Sequence, residues 1–183
     1  ELNRFNDYVI QNNYINLPVV GIEPSCLLTF NDEYQTLKNV NNREQIKNKF
    51  YLLEEFILEQ IRNNNNIKAN KFDQNVLIHG HCHQKSQDRM KGLTNLLSEL
   101  NINNKMIESS CCGMAGSFGY DSKNYEVSKK MANLSLIPAI NNSDEKDFIV
   151  ANGTSCRHQI SDLSDKKGKH VSELLFKIFE TVN

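Results

Sequence analysis

Apolar residues recur along this chain with two periods, and the alternation between them predicts the architecture. Short apolar runs bounded by breakers fall at residues 17–22, 76–79, 105–108 and 148–151. That is the pattern of strands buried on both faces of a parallel sheet. Between these runs the apolar positions fall three and four apart, as on one face of a helix. Leu2, Phe5, Val9 and Ile10 predict an opening helix. Ile46, Phe50, Leu53, Ile57 and Ile61 predict one long amphipathic helix, stopped by the asparagine run 63–66. Leu93, Leu96, Leu97 and Leu100 mark a third helix. Val127, Met131 and Leu134 mark a fourth, with Asp121 or Ser122 as its N-cap and Pro138 beyond its end. Val171, Leu174, Leu175, Ile178 and Phe179 give the closing helix.

Strand and helix alternating at this rhythm predict an α/β fold, a parallel sheet with helices on both faces. The mostly polar stretch 62–73 reads as a linker between an N-terminal piece and a fuller C-terminal α/β unit. In such sheets the functional loops leave the carboxyl ends of the strands. The cysteines fall there: Cys26 after the first run, Cys82 after the second, Cys111 and Cys112 after the third, and Cys156 after the fourth. The expected fold therefore brings all five sulfurs together, although they lie far apart in sequence.

Composition narrows the class. The 183 residues are 39% hydrophobic, enough for one good core or two small ones sharing a sheet. A formal charge of −1 leaves no basic footprint for nucleic acid. No apolar run approaches the length of a bilayer span, and no signal peptide is visible. The first residue is Glu, which is expected of a fragment or excised domain. Five cysteines without framework spacing argue against a secreted disulfide scaffold and for a reducing cytosol.

Adjacent Cα atoms lie closer together than the usual disulfide span, so Cys111-Cys112 reads as two thiolates aimed at something else. Thiolates arriving from several loops suit an iron–sulfur cluster or a soft metal such as Zn. Gly113, Gly116 and Gly119 follow the pair at every third position. Glycines there let backbone N–H groups approach and donate to sulfur. The spacing is not G-x-G-x-x-G, so no dinucleotide site is expected. Two competing readings are weaker. Buried cysteine often serves as a small hydrophobe, yet five of them in glycine- and histidine-rich loops exceed that pattern. A nucleophilic dyad of Cys82 with His81 or His83 leaves Cys111, Cys112 and Cys156 unexplained.

Three segments carry a family resemblance: His81-Cys82-His83-Gln84-Lys85; Glu-Ser-Ser-Cys-Cys-Gly-Met-Ala-Gly-Ser-Phe-Gly-Tyr from Glu108 to Tyr120; and Asn-Gly-Thr-Ser-Cys-Arg-His-Gln-Ile from Asn152 to Ile160. They resemble the cysteine-rich CCG domain. That family includes Fe–S subunits and C-terminal regions of FAD-linked 2-hydroxyacid dehydrogenases (D-lactate, glycolate and D-2-hydroxyglutarate types) and the CCG subunit of heterodisulfide reductase. The resemblance implies a three-layer, Rossmann-like CCG unit over residues 71–183, preceded over residues 1–70 by the closing part of a second, truncated unit. Gly21-Ile-Glu-Pro-Ser-Cys26 looks like that earlier unit's closing segment, without a Cys-Cys-Gly of its own. It further implies an Fe–S cluster, [4Fe–4S] by preference with Zn as the alternative, held by Cys82, Cys111, Cys112 and Cys156, with Cys26 as a fifth. His81, His83, Gly113, Gly116 and His158 would surround the ligands. FAD would belong to another part of the protein. The implied partners are flavin and ferredoxin-like domains and a downstream electron acceptor, in the cytoplasm or peripherally at a membrane through the complex. One feature departs from the heterodisulfide reductase pattern, which closes in C-x-x-C: here the segment is Cys156-Arg157-His158-Gln159, so the last cysteine is missing.

The remaining polar residues are expected to be plainer. His79 reads as a histidine satisfied by backbone groups, and His170 as packing against the sheet edge. Glu23 orients the Cys26 turn or lies on the surface. Glu54-Glu55 and Asp144-Glu145 read as solvated faces, and Lys129-Lys130 and Lys166-Lys167 as surface charge or a docking face. The expected activity is electron transfer within an oxidoreductase whose substrate is oxidised elsewhere. The alternative is a structural or docking domain with Zn or without metal.

Overall fold

A computed structural model describes residues 2–46, 49–64 and 66–179. The chain opens with helix α1 (Leu2–Gln11), a 3₁₀ turn and strand β1 (Val19–Gly21). Three short helices follow: α2 (Pro24–Leu27), α3 (Glu33–Thr36) and α4 (Arg43–Ile46). Strand β2 (Phe50–Leu52) runs directly into α5 (Leu53–Asn63). The C-terminal unit is β3 (Val76–His79), α6 (Cys82–Ser86), α7 (Met90–Glu99), β4 (Asn104–Met106), α8 (Tyr125–Asn133), α9 (Leu136–Asn141), β5 (Phe148–Ala151), α10 (Thr154–Leu163) and α11 (Val171–Phe179).

All strand pairs are parallel. β1 and β2 form one sheet, and β4-β3-β5 form the other in that order. The alternation of side chains across the larger sheet shows both faces covered. Val76 and Ile78 of β3 and Phe148 and Val150 of β5 face a core built with α5, α7 and α11. Leu77, Ile149 and Ala151 face the opposite core, built with α8, α9 and α10. A separate apolar cluster holds the N-terminal elements, with Leu28, Tyr34, Ile46, Phe50 and Leu52 buried and Phe30 stacked on Phe50. The fold is the α/β architecture with helix-covered parallel strands that the apolar runs predict.

Three elements differ from expectation. The single long helix from Ile46 to Ile61 is broken: Phe50-Tyr51-Leu52 is a strand paired with Val19–Gly21, and Lys47 and Asn48 lie outside the described residues. An aromatic-rich triplet with alternating burial favours the pleated edge over helix. The asparagine stop also includes Asn65, outside the described residues. On α8 the apolar stripe is not the inward face. Val127 and Leu134 are exposed, and Ser128 and Ala132 are buried instead. The N-cap of α8 is Asn124 rather than Asp121 or Ser122, and Pro138 sits inside the first turn of α9. His170 caps α11 and reaches the first sheet: its Nε2 is 2.8 Å from the Ile22 carbonyl and its Nδ1 accepts from Ser172 N–H.

Candidate metal centre

Three strand ends of the larger sheet deliver four cysteines to one place. β3 ends at His79, and three residues later Cys82 opens α6. Past β4, Ile107 N–H still bonds the Ile78 carbonyl, and the chain then turns through Ser109 and Ser110 into Cys111 and Cys112. β5 ends at Ala151, and Cys156 lies in the first turn of α10. Cys82, Cys111, Cys112 and Cys156 line one small cavity with His79, His81, Ala115, Gly116 and Ser155. Exposure is graded across the row. Cys112 and Cys156 are buried, Cys111 is half-buried and Cys82 is exposed.

The sulfurs are in mutual contact. Hydrogen bonding from Cys112, and next from Cys82, holds the Cys111 thiol far below its usual range, aided by N–H groups of Gly113 and Ala115. Cys156 is lowered to about 5, first by its bond to Cys112 and then, against the opposing effect of burial, by its bond to His79. Cys82 and Cys112 move the other way, because each shares its proton with a neighbouring thiolate and both are partly desolvated. Four ionised thiols this close would repel one another strongly, and a cation between them relieves that repulsion. Ligand atoms of His79, Cys112 and Cys156 all lie within 4.8 Å of one another. This sulfur and nitrogen donor set fits a soft metal or an Fe–S group.

The surrounding residues fix the loops. Gly113, at φ +91°, turns the chain so that its N–H donates to Cys111 Sγ at 3.3 Å. Gln159 stands where the C-x-x-C pattern has its last cysteine. Its buried amide donates to the Cys112 carbonyl at 2.9 Å and to Ser128 Oγ at 2.9 Å, clamping the cysteine loop to α8. Lys85 Nζ donates to the Ser109 and Ser110 carbonyls, each at 2.5 Å. Burial lowers the Lys85 pKa, while nearby Cys111, Cys82, Cys156 and Cys112 oppose that. His79 Nδ1 lies 2.9 Å from Ser109 Oγ. This histidine therefore belongs to the cysteine cavity, in place of the backbone-satisfied role expected for it.

The other expected site residues fall at different distances from the sulfurs. His81 is buried, caps α6 by accepting from His83 N–H at 3.3 Å, and lies against Gly153. Burial lowers its pKa, and Cys156 and Glu23 act against that. His83 meets the His81 ring edge-on at 5.6 Å, and its buried Nδ1 has no hydrogen-bond partner. His158 is exposed and pairs with the Tyr120 hydroxyl at 2.5 Å, outside the cavity lining. Cys26 is exposed on α2 and does not line the cavity. Its turn is tied to the site through Glu23, whose Oε2 accepts from Thr154 N–H at 2.9 Å and Thr154 Oγ1 at 2.8 Å. Burial alone would raise the Glu23 pKa; these bonds and one from Ser25 bring it below its usual value.

Glu54 is a correction. It is buried, not solvated, at 1% exposure. Its Oε1 accepts from Gln84 Nε2 at 2.7 Å and from Asn152 Nδ2 at 2.9 Å. A helical reading anchored on α5 alone contains the signal, because Glu54 precedes the buried Leu58 by four residues on the same face. Glu55 instead accepts from Leu52 N–H at 2.9 Å and forms a two-pronged ion pair with Arg89.

Comparison with known proteins agrees with this geometry. The chain is 22% identical over 163 residues to D-2-hydroxyglutarate dehydrogenase of Pseudomonas putida, covering 88% of this chain and 15% of that protein. It is 22% identical over 162 residues to one component of the anaerobic glycerol-3-phosphate dehydrogenase of Escherichia coli K12, covering 87% of this chain and 40% of that component. Against D-2-hydroxyglutarate dehydrogenase of E. coli K12 it is 24% identical over 178 residues, 95% of this chain and 17% of the enzyme. The chain thus spans well under half the length of each of these relatives. No solved structure matches significantly. Among the described residues no helix is long and apolar enough to cross a membrane. The segment holding the four gathered cysteines, residues 76–161, matches the model of the CCG family, described as a cysteine-rich domain.

Proposed function

We propose that this chain is the Fe–S electron-transfer part of an FAD-linked oxidoreductase that oxidises a 2-hydroxy acid, the flavin lying in another part of the protein. The observation that carries the reading is the row Cys82, Cys111, Cys112 and Cys156 in contact around one cavity at the strand ends. Two relatives are named as dehydrogenases of a 2-hydroxy acid, D-2-hydroxyglutarate, which supports the substrate class. The third is named as part of a glycerol-3-phosphate dehydrogenase, and electron transfer is the role that does not depend on which substrate is oxidised.

In this reading residues 71–183 are a complete CCG unit, residues 1–70 close a preceding half, and the protein works in the cytoplasm or at a membrane surface through its complex. Cys82, Cys111, Cys112 and Cys156 hold the cluster, with Cys26 and His79 as candidates for a further donor. A bound cluster would supply reversible one-electron storage. The chain's own residues keep it in place: Gly113 and Ala115 donate N–H bonds to Cys111, Lys85 sets a positive charge beside the thiolates, and Gln159 fixes the Cys112 carbonyl. The flavin and ferredoxin-like domains and the electron acceptor are the proposed partners.

A second reading has its own support. The cavity holds about 10 Å³, the room of one water or one ion, and the buried trio His79, Cys112 and Cys156 suits tetrahedral Zn. Anaerobic purification separates the two. A brown protein with stoichiometric iron and sulfide, lost in Cys111→Ser while the circular dichroism of the fold is kept, is the expected result. A colourless protein with one Zn per chain, or iron unchanged in Cys111→Ser, refutes the ligand assignment.

A further inference from the structure

Glu54 is buried in the wall between the two halves of the chain, and the thiolate site leaves it without a role. Its carboxylate is held by two neutral amides and by its own backbone N–H. Those amides come from the two segments that carry the outer and inner cysteines. Gln84 is two residues past Cys82 on α6, and Asn152 is four residues before Cys156, at the turn into α10. Asn152 is itself fixed, since its Oδ1 accepts from Val171 N–H at 3.1 Å. Its two side-chain partners are these amides, and the nearby cation is paired elsewhere. Glu55 on the same helix is a like charge, and Arg89, near enough to feel the Glu54 charge, makes its ion pair with Glu55, with Tyr51 nearby.

Resting on the reading of the cysteines as a one-electron centre, we propose that Glu54 is its proton partner. When the centre accepts one electron from a reduced flavin or another one-electron donor, the Glu54 carboxylate takes up one proton from solvent. On reoxidation the electron leaves and the carboxyl releases that proton. The electron's charge and the proton's cancel inside the same low-dielectric interior, which favours their moving together. The resting state of the group agrees with this role: burial first, and then the neighbouring Glu55, push the Glu54 pKa up to about 7, while hydrogen bonds from its own backbone and from Gln84 and Asn152 pull against them.

Anaerobic redox titration of the iron-loaded chain from about pH 5.5 to about pH 8.5 tests it. In the wild type the reduction equilibrium should weaken by up to about tenfold per pH unit near neutrality. In Glu54→Gln, which keeps an acceptor oxygen for both amides, it should be independent of pH, and in Glu54→Asp, which keeps a carboxyl, the dependence should return. Infrared difference spectra should show a protonated-carboxyl band on reduction of the wild type, shifted in Glu54→Asp and absent in Glu54→Gln. An iron-loaded wild type with a flat profile, or a slope unchanged in Glu54→Gln, overturns the proton role and leaves the electron centre standing. A wild-type chain that takes up no iron under reconstitution overturns the electron centre, and the proton role falls with it. Should Glu54→Gln fail to fold, a reduction-linked carboxyl band that does not shift in Glu54→Asp overturns the assignment.

Discussion

Replacing Gly113 by alanine should damage the protein far more than the same change three residues later. Both glycines lie at positive φ, +91° at Gly113 and +67° at Gly116. For alanine that backbone costs about 1–2 kcal/mol at either position. The surroundings differ. A Cβ at Gly113 would lie 2.2 Å from the Ser128 carbonyl oxygen, which is helix backbone and has no rotamer to escape into, whereas a Cβ at Gly116 meets nothing within 4 Å. Relieving the first clash means moving α8 away from the cysteine loop. The amide of Gln159 bridges those two elements at Cys112 O, Ser128 O and Ser128 Oγ, so the movement breaks buried bonds worth about 1 kcal/mol each. Gly113→Ala should therefore lose roughly 3–5 kcal/mol and Gly116→Ala roughly 1–2 kcal/mol. Urea unfolding of the metal-free, reduced protein reads this as a separation of about 1 M between the two midpoints. Midpoints that coincide, or Gly116→Ala as the worse variant, would refute the steric argument.

Two further outcomes are expected of the metal-free protein. Glu54, with its pKa raised from 4.5 to about 7 in the fold, contributes stability that is complete below pH 4.5 and lost as the pH rises through about 7. Unfolding measured at both ends should show Glu54→Gln gaining about 3 kcal/mol on the wild type over that interval; the opposing effects of His81 and His170, whose pKa values are lowered, cancel between the two proteins. Alkylation at about pH 6 with peptide mapping should label Cys111 ahead of Cys82, since Cys111 is held as thiolate and Cys82 as thiol although Cys82 is more exposed. Faster labelling of Cys82 would show that exposure, not proton sharing, governs the site.

The parts of the fold that were legible in the sequence share a physical cause. β3 and β5 are covered on both faces, so Val-Leu-Ile-His and Phe-Ile-Val-Ala read as unbroken apolar runs. β2 was hidden because Phe50 happens to continue a three-and-four spacing from Ile46 into α5, which periodicity alone cannot distinguish from helix. α8 misled in the opposite way. It presses its backbone onto Gly113, so its inward residues are the small Ser128 and Ala132, and its larger apolar residues face out. The rule that functional loops leave the carboxyl ends of parallel strands predicts five gathered cysteines; four line the cavity, and Cys26, which follows β1 of the separate sheet, does not. Glu54 did not follow from any such rule. Its partners lie 30 and 98 residues away, and two adjacent glutamates at a helix start look alike until the packing separates them.

The missing C-x-x-C cysteine bears on the number of donors. Gln159 follows Cys156 by one helical turn and is buried, so the position itself points inward. An amide there cannot supply a thiolate, and its hydrogens are already spent on Cys112 and Ser128. In the proposed cluster reading, His79 and Cys26 are the candidates for a donor beyond the four gathered thiols. His79 has a ring nitrogen within 4.8 Å of both Cys112 and Cys156, and its Nδ1 lies 2.9 Å from Ser109 Oγ, the kind of partner that orients an imidazole. Cys26 is exposed, and the Glu23 tether to Thr154 fixes its turn beside the start of α10 without bringing it into the cavity. That tether is charge-assisted and doubly bonded. The arrangement favours His79: the fold has already brought it into contact with Cys156, and Cys26 would have to travel.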